Sequence, residues 1–424
     1  MTAPDPRPAS LRLYGLAAGA ASVAAPAWLK GRVRQGKEDP ARWPERLGRT
    51  AIPRPEGRLA WLHGVSVGES LSLLPLADRI RMERPDVAVL VTSGTRASAE
   101  LLAARLPAGA IHQYAPLDTP GAIRRFLDHW RPDLGVLVES ELWPNLILGA
   151  RARGARLALV SAKLSARSLD GWRRAPAAAR AVLGAFDLLL ARDAAAAERL
   201  AALGARVDGL ADLKFGAPAL PADEAELARA KGAVGGRPVL LAASTHPGEE
   251  EIVLTAFRGA ADAGALLILA PRHPERGEAV ERLARDTGLA VGRRAQGDPL
   301  GAAPVYVADT VGELGLWYRL AALAVVGGSL TEPSVGGHNP LEPARLACPF
   351  VAGRQVYAWP VYATLQAAGA TRLVDPGELA GWLSRALTGD LALTAMAQRA
   401  SAFAAAGDAA AGEAAERVLG LLDR

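Results

Sequence analysis

The sequence contains one cysteine, Cys348, in 424 residues. That excludes a disulfide scaffold and any metal or iron–sulfur site built from several cysteines. Lysine is almost as scarce: five residues (30, 37, 163, 214 and 231), so nearly all 49 basic residues are Arg. Arg is the better fork for phosphates and carboxylates. Long apolar runs are missing too; only Leu13–Leu29, which carries no charge, approaches the length of a bilayer span. With half of its residues apolar and 22% charged, the chain is not disordered. The formal charge of +5 suits anionic partners without choosing among nucleic acid, membrane and small molecules.

Leu13–Leu29 is mostly Ala and Gly, with Pro26 near its end. Arg7 and Arg12 precede it, and Lys30, Arg32, Arg34 and Lys37 follow. That excess places the body of the protein in the cytoplasm if the segment meets a membrane. A marginal anchor, an interfacial helix and a secretory signal ending near Ala25-Pro26-Ala27 are the membrane alternatives; an Ala-rich surface helix is the bland one.

From residue 59 short β-rich runs alternate with helical stretches, as parallel βαβ units do. The expected strands are Leu59–His63, Val87–Thr92, Ala110–Tyr114, Leu134–Val138, Arg156–Val160 and Phe186–Ala191. The pattern then restarts. Strand Val239–Ala243 is followed by Ser244-Thr245-His246-Pro247-Gly248-Glu249, as Leu59–His63 is followed by Gly64-Val65-Ser66-Val67-Gly68-Glu69. The two Gly-Glu pairs lie 180 residues apart. Two Rossmann-like domains follow from this, joined by a linker at Gly216–Ala225. Their chemistry belongs in the loops at the strand ends, in the cleft between the domains.

Gly64–Gly68 fits the G-x-S-x-G elbow of serine hydrolases, but only one strand precedes it and its counterpart in the second half lacks the serine. It is no Walker loop, because Glu69 stands where that loop has lysine. A carboxylate on the first turn of a helix stays ionised, which suits a general base; a plain capping Glu is the alternative. Glu139-Ser140-Glu141 ends strand Leu134–Val138, a weak metal signal that reads better as one carboxylate binding a hydroxyl or a cation. Pro271–Arg276 places Arg272, His273 and Arg276 after a strand, as an anion site does. Gly327-Gly328-Ser329 leads toward Gly336-Gly337-His338-Asn339-Pro340-Leu341-Glu342, a backbone suited to close approach by phosphate. Asn339-Pro340 predicts a helix start, with Glu342 on its first turn where it can hold ribose hydroxyls.

On these residues the chain resembles the 3-deoxy-D-manno-octulosonic acid (Kdo) transferases of lipopolysaccharide assembly. The resemblance includes Leu11–Tyr14, Arg46–Gly48, Trp61–Glu69, Tyr114–Asp118, Glu139–Asn145, Lys163–Ser168, Asp212–Phe215, Ala243–Glu250, Pro271–Arg276, Asp309–Leu314, Gly327–Leu330 and Gly336–Pro343. It implies an α/β GT-B glycosyltransferase fold: a membrane-associated segment at 1–40, an acceptor domain at 41–218 and a donor domain at 219–424 whose last helix packs back on the first. It implies an inverting transfer of Kdo from CMP-Kdo to a lipid A precursor, lipid IVA, at the cytoplasmic side of the inner membrane, with no cofactor, metal or nucleic acid. Glu69 is then the base. Ser244, Thr245, Arg272, His273, Gly312, Glu313, Gly328, Ser329, Asn339 and Glu342 are the donor set. Ser66, Gly68, Glu139, Glu141, Lys163 and Arg167 are the acceptor set. Another GT-B nucleotide-sugar enzyme (a sugar transferase or a 2-epimerase), a serine hydrolase and a non-catalytic nucleotide-binding module are the alternatives.

Overall fold

A computed structural model describes residues 7–216 and 219–423, apart from the side chains of 261 and 262. Residues 1–6 of the expected membrane-associated segment and 217–218 of the expected linker lie outside the described residues. The chain divides into two compact units, Met1–Ala217 with Gly407–Arg424, and Pro218–Ala406.

Among the described residues the first unit holds a parallel sheet of seven strands: β1 (Arg58–His63), β2 (Val87–Ser93), β3 (Ile111–Tyr114), β4 (Leu134–Val138), β5 (Arg156–Ala162), β6 (Leu188–Ala191) and β7 (Gly209–Leu210). Their order is β3-β2-β1-β4-β5-β6-β7. Near-continuous apolar runs form these strands because both faces of the sheet are covered. Successive residues serve opposite faces: Leu59, Trp61, Leu137, Leu157 and Leu159 pack on one side, and Ala60, Leu62, Val136, Ala158 and Val160 on the other. Ala414, Val418, Leu419 and Leu422 join the second face.

The second unit repeats the plan with β8 (Val239–Thr245), β9 (Leu266–Pro271), β10 (Val291–Arg293), β11 (Val305–Val307), β12 (Leu323–Val326), β13 (Phe350–Gly353) and β14 (Arg372–Val374). The order is β10-β11-β9-β8-β12-β13-β14, again all parallel. In the first sheet the chain works outward from β1 to β3 and then crosses to the other side of β1. In the second it runs from β8 to β9 and on to the edge at β10, places β11 between β9 and β10, and then crosses to the other side of β8. That reversal lies between β1 and β4 in the first unit and between β8 and β12 in the second. Loops splay apart at such a point and leave a binding crevice beyond the strand ends.

Several expected boundaries move by one or two residues, and two of the shifts have a visible cause. The strand placed at Phe186–Ala191 begins at Leu188, because the Asp187 carboxylate turns back to accept from Leu157 N–H and from Arg151 and Arg156. The helix expected at Asn339-Pro340 begins at Leu341. Pro340 has no N–H, so the Asn339 side chain accepts from the next available amide, that of Leu341.

The N-terminal helix Ala9–Arg34 buries Leu11, Ala25 and Leu29, and Tyr14 donates to Asp118 at 2.8 Å. Leu13, Leu16, Val23 and Trp28 of the same helix stay exposed. No helix among the described residues is long and apolar enough to cross a membrane.

Gly353 ends β13 against the Ser329 backbone, where an added Cβ would lie 1.9 Å from the Ser329 carbonyl oxygen. Backbone cannot yield as a side-chain tip can, so Gly353→Ala should destabilise the second unit by at least about 2 kcal/mol. A fall of several degrees in the thermal midpoint checks this.

Candidate active site

In the first unit the helix Val67–Glu83 starts directly after β1, with Ser66 as its N-cap. Ser66 Oγ accepts from Glu69 N–H at 3.3 Å and donates to Glu69 Oε1 at 2.8 Å. Glu69 Oε2 accepts from Val65 N–H at 2.7 Å. The capping reading of Glu69 is therefore correct as far as it goes. A carboxylate offers about four lone-pair positions, and these contacts occupy two. The Ser66 hydroxyl points at a carboxylate rather than at a histidine, so the elbow has no relay of the hydrolase kind.

Glu139 follows β4 in the left-handed region, φ 61°, a strained setting for a non-glycine residue. Lys163, just after β5, pairs with its Oε2, and Lys214 Nζ lies 2.9 Å from its Oε1. Burial alone would raise the Glu139 pKa, but the two lysines outweigh it and hold the group below its ordinary value. Glu141, two residues on, has no lysine of its own. Trp143 Nε1 donates to its Oε2, and His63 Nε2 lies 3.9 Å from the same oxygen. Burial, with the charges of Glu69 and Glu139, pushes Glu141 up to about 7. Burial, aided by Arg46, pushes His63 down to about 3, so its ring is neutral.

Thus Glu69, Ser66, Glu139, Glu141 and Lys163 gather beyond the ends of β1, β4 and β5. Gly68 is exposed within the first turn of its helix. Arg167 is exposed on the helix Ala166–Arg173 and makes no ion pair among the described residues. Lys214, within Asp212–Phe215, is not among the expected acceptor residues; a lysine in a chain with only five is the sequence signal that points to it.

In the second unit a cavity of about 160 Å3 is lined by Ser244, Pro271, Arg272, Thr310, Gly312 and Trp317, among others. Ser244 sits in a bulge of β8 with φ 56°. Arg272 acts on Glu342, whose pKa burial raises and Asn339 and Arg272 pull back. Asn339 Nδ2 approaches Glu342 Oε1 at 3.5 Å. His246 stacks on His338, their Nε2 atoms 2.9 Å apart, and the His273 ring lies 5.8 Å from His246. Ser244, Arg272 and Gly312 thus share one cavity. Glu313 faces a neighbouring cavity of about 220 Å3 and is ion-paired with Arg294 at 2.5 Å.

Three donor residues need correcting. Gly328 and Ser329 were expected to offer backbone N–H groups to a phosphate. Those amides, with Leu330 N–H, instead donate to Glu249 at 2.7–2.9 Å. The Ser329 hydroxyl donates to Val326 O and accepts from Gly353 N–H. The Thr245 hydroxyl donates to buried Glu250, which also holds Arg276 at 2.7 Å. These groups are already satisfied by partners inside the protein. Glu249 also accepts from His246 N–H, which fills all four of its lone-pair positions.

Two units of parallel α/β type, each with polar loops at its sheet's reversal point, define a GT-B-like architecture. Solved structures agree on the fold. UDP-GlcNAc 2-epimerase from Neisseria meningitidis is 13% identical, with a TM-score of 0.57 over 85% of this chain and 99% of that one. A glycosyltransferase from Rickettsia africae is 11% identical, with a TM-score of 0.55 over 87% and 99%. The profile of the family 3-Deoxy-D-manno-octulosonic-acid transferase (kdotransferase) matches residues 41–217. The 3-deoxy-D-manno-octulosonic acid transferase of Bordetella pertussis is 35% identical over 86% of this chain and 88% of its own length. That of Haemophilus influenzae is 33% identical over 74% of each. The chain belongs to the Kdo transferase family and is a glycosyltransferase.

Glu249→Ala would leave four backbone N–H groups without an acceptor. It should destabilise the second unit by about 3 kcal/mol or more, and hydrogen exchange should quicken at Gly328, Ser329 and Leu330 while the first unit keeps its protection.

Proposed function

We propose that this protein transfers Kdo from CMP-Kdo to a lipid A precursor of the lipid IVA type, with inversion at the anomeric carbon. The observation that carries this reading is the contrast between two carboxylates at matching positions. Glu249 spends every lone pair on backbone amides, whereas Glu69 keeps two. Glu69 therefore retains the capacity to take a proton from an acceptor hydroxyl. Glu139, Glu141 and Lys163 stand with it in the first unit and would receive the acceptor. In the second unit Ser244, Arg272 and Gly312 would receive the nucleotide, with Arg272 meeting the charge that grows on the leaving phosphate. Glu342 and Asn339 would hold the ribose.

The site of action in this reading is the cytoplasmic face of the inner membrane. The row Leu13, Leu16, Ala20, Val23 and Ala27 is exposed along one side of the helix Ala9–Arg34, with Arg12 and Lys30 at its ends. That is the make-up of a helix lying in the lipid interface, its basic ends meeting anionic headgroups.

Glu69→Ala should lower the rate of transfer by roughly 10²–10⁴-fold while CMP binding, read by calorimetry, keeps its affinity; full activity in that variant would remove Glu69 as the base. Leu16→Glu with Val23→Glu should weaken binding to phosphatidylglycerol vesicles roughly tenfold or more, with an unchanged melting curve. Equal vesicle binding would refute the interfacial helix.

A further inference from the structure

His63 is a buried side chain with an unused nitrogen. Its Nδ1 lies 2.9 Å from Thr92 Oγ1, whereas Nε2 is fully buried and has no hydrogen-bond partner. Thr92 Oγ1 already accepts from Trp61 Nε1–H at 2.8 Å. The one hydroxyl proton of Thr92 has two acceptors within reach, His63 Nδ1 at 2.9 Å and Leu62 O at 3.5 Å. Donation to Leu62 O would leave Nδ1 as the donor to Thr92. Donation to His63 Nδ1, the nearer acceptor, makes Nδ1 the acceptor, and a neutral imidazole then carries its proton on Nε2.

That N–H faces Glu141 Oε2 at 3.9 Å, and Trp143 Nε1–H donates to the same oxygen. A movement of about one ångström completes the second bond. Two N–H groups converging on Oε2 make it the accepting oxygen. Oε1, which has no hydrogen-bond partner among the described residues, is left as the oxygen that can bear a proton.

The surrounding charge favours that proton. Burial favours it most, and Glu69 on the helix Val67–Glu83 and Glu139 in its own loop add to it; the Trp143 hydrogen bond and Lys163 at the end of β5 oppose it, while His63 on β1 is neutral. Both nearby lysines, 163 and 214, are engaged with Glu139. An ionised Glu141 would therefore stand beside Glu69 as a second uncompensated negative charge. An anionic group of the substrate entering there would raise its proton affinity further.

We propose that Glu141 works as an uncharged carboxylic acid that donates a hydrogen bond from Oε1 to an anionic substrate group beside Glu69, and that His63 is the positioning residue that fixes Oε2. Glu69 and Glu141 then divide the work: one carboxylate accepts a proton and the other acid keeps one. The nature of the anion, the Kdo carboxylate or a phosphate of the acceptor, rests on the Kdo-transfer reading.

Two measurements test the pair. Transfer is followed from pH 5.5 to 9 in the wild type, Glu141→Gln, Glu141→Ala and His63→Leu. Gln imitates the protonated acid and cannot ionise. Glu141→Gln should stay within about tenfold of the wild type at pH 6 and lose the alkaline fall in activity, while Glu141→Ala should lose on the order of a hundredfold. His63→Leu removes a donor that steadies the ionised form, so its alkaline limb should move to higher pH. The substrate whose KM rises along the wild-type limb is the one whose anion meets Glu141. A Glu141→Gln variant as inactive as Glu141→Ala, or one that keeps the wild-type limb, overturns the proposal. Carboxyl carbon NMR of the free protein needs no turnover. One glutamate should titrate near pH 7 and disappear from the spectrum in Glu141→Gln. Absence of that titration overturns the proposal even if the wild type transfers no Kdo, which by itself would count only against the Kdo-transfer reading.

Discussion

Each unit is organised by a carboxylate on the first turn of the helix that follows its first strand. In the second unit Glu249 binds four amides from two separate loops and closes the turn after β12 onto the end of β8. In the first unit Glu69 holds only Val65 N–H and the Ser66 hydroxyl. A buried, fully bonded carboxylate is an architectural element, since any further ligand must break a bond already made. A carboxylate with open lone pairs at a sheet's reversal point is free for the chemical role proposed for Glu69. The two halves share a plan, and the difference in how many N–H groups surround the same residue separates scaffold from chemistry.

The charge pattern beside Glu69 follows from where the few lysines are spent. Lys163 and Lys214 neutralise Glu139 and anchor the strained residue after β4. Glu141 is left to burial and to its acidic neighbours, which move its titration into the working range of an enzyme. In the second unit the arginines divide likewise. Arg276 serves Glu250, Arg294 serves Glu313, and Arg272 lines the cavity. An Arg-rich composition thus resolves into structural partners and a small number of cationic groups placed where an anionic substrate is expected.

Much of this was legible in the sequence because the signals are local. Leu134–Val138 is a strand because five apolar residues in a row suit a sheet covered on both faces. The 180-residue recurrence of strand, turn and Gly-Glu marks the two halves, and the strand-end loops do carry the polar clusters. The bonds that decide roles were not legible. Glu249 meets Leu330 across 81 positions, Lys214 meets Glu139 across 75, and His63 faces Glu141 from another strand. Nothing in a run such as Gly-Gly-Ser says whether its amides face a phosphate or a neighbouring carboxylate. That ambiguity placed Gly328, Ser329 and Thr245 among the ligand-facing residues and passed over Glu249.

The most direct test of the account is the transfer reaction itself: purified protein, CMP-Kdo and lipid IVA, with released CMP quantified and the lipid product weighed by mass spectrometry. The account predicts a lipid heavier by one or more Kdo residues, with one CMP released for each. CMP-Kdo bound without any gain in lipid mass, or CMP released with free Kdo as the only other product, would contradict it.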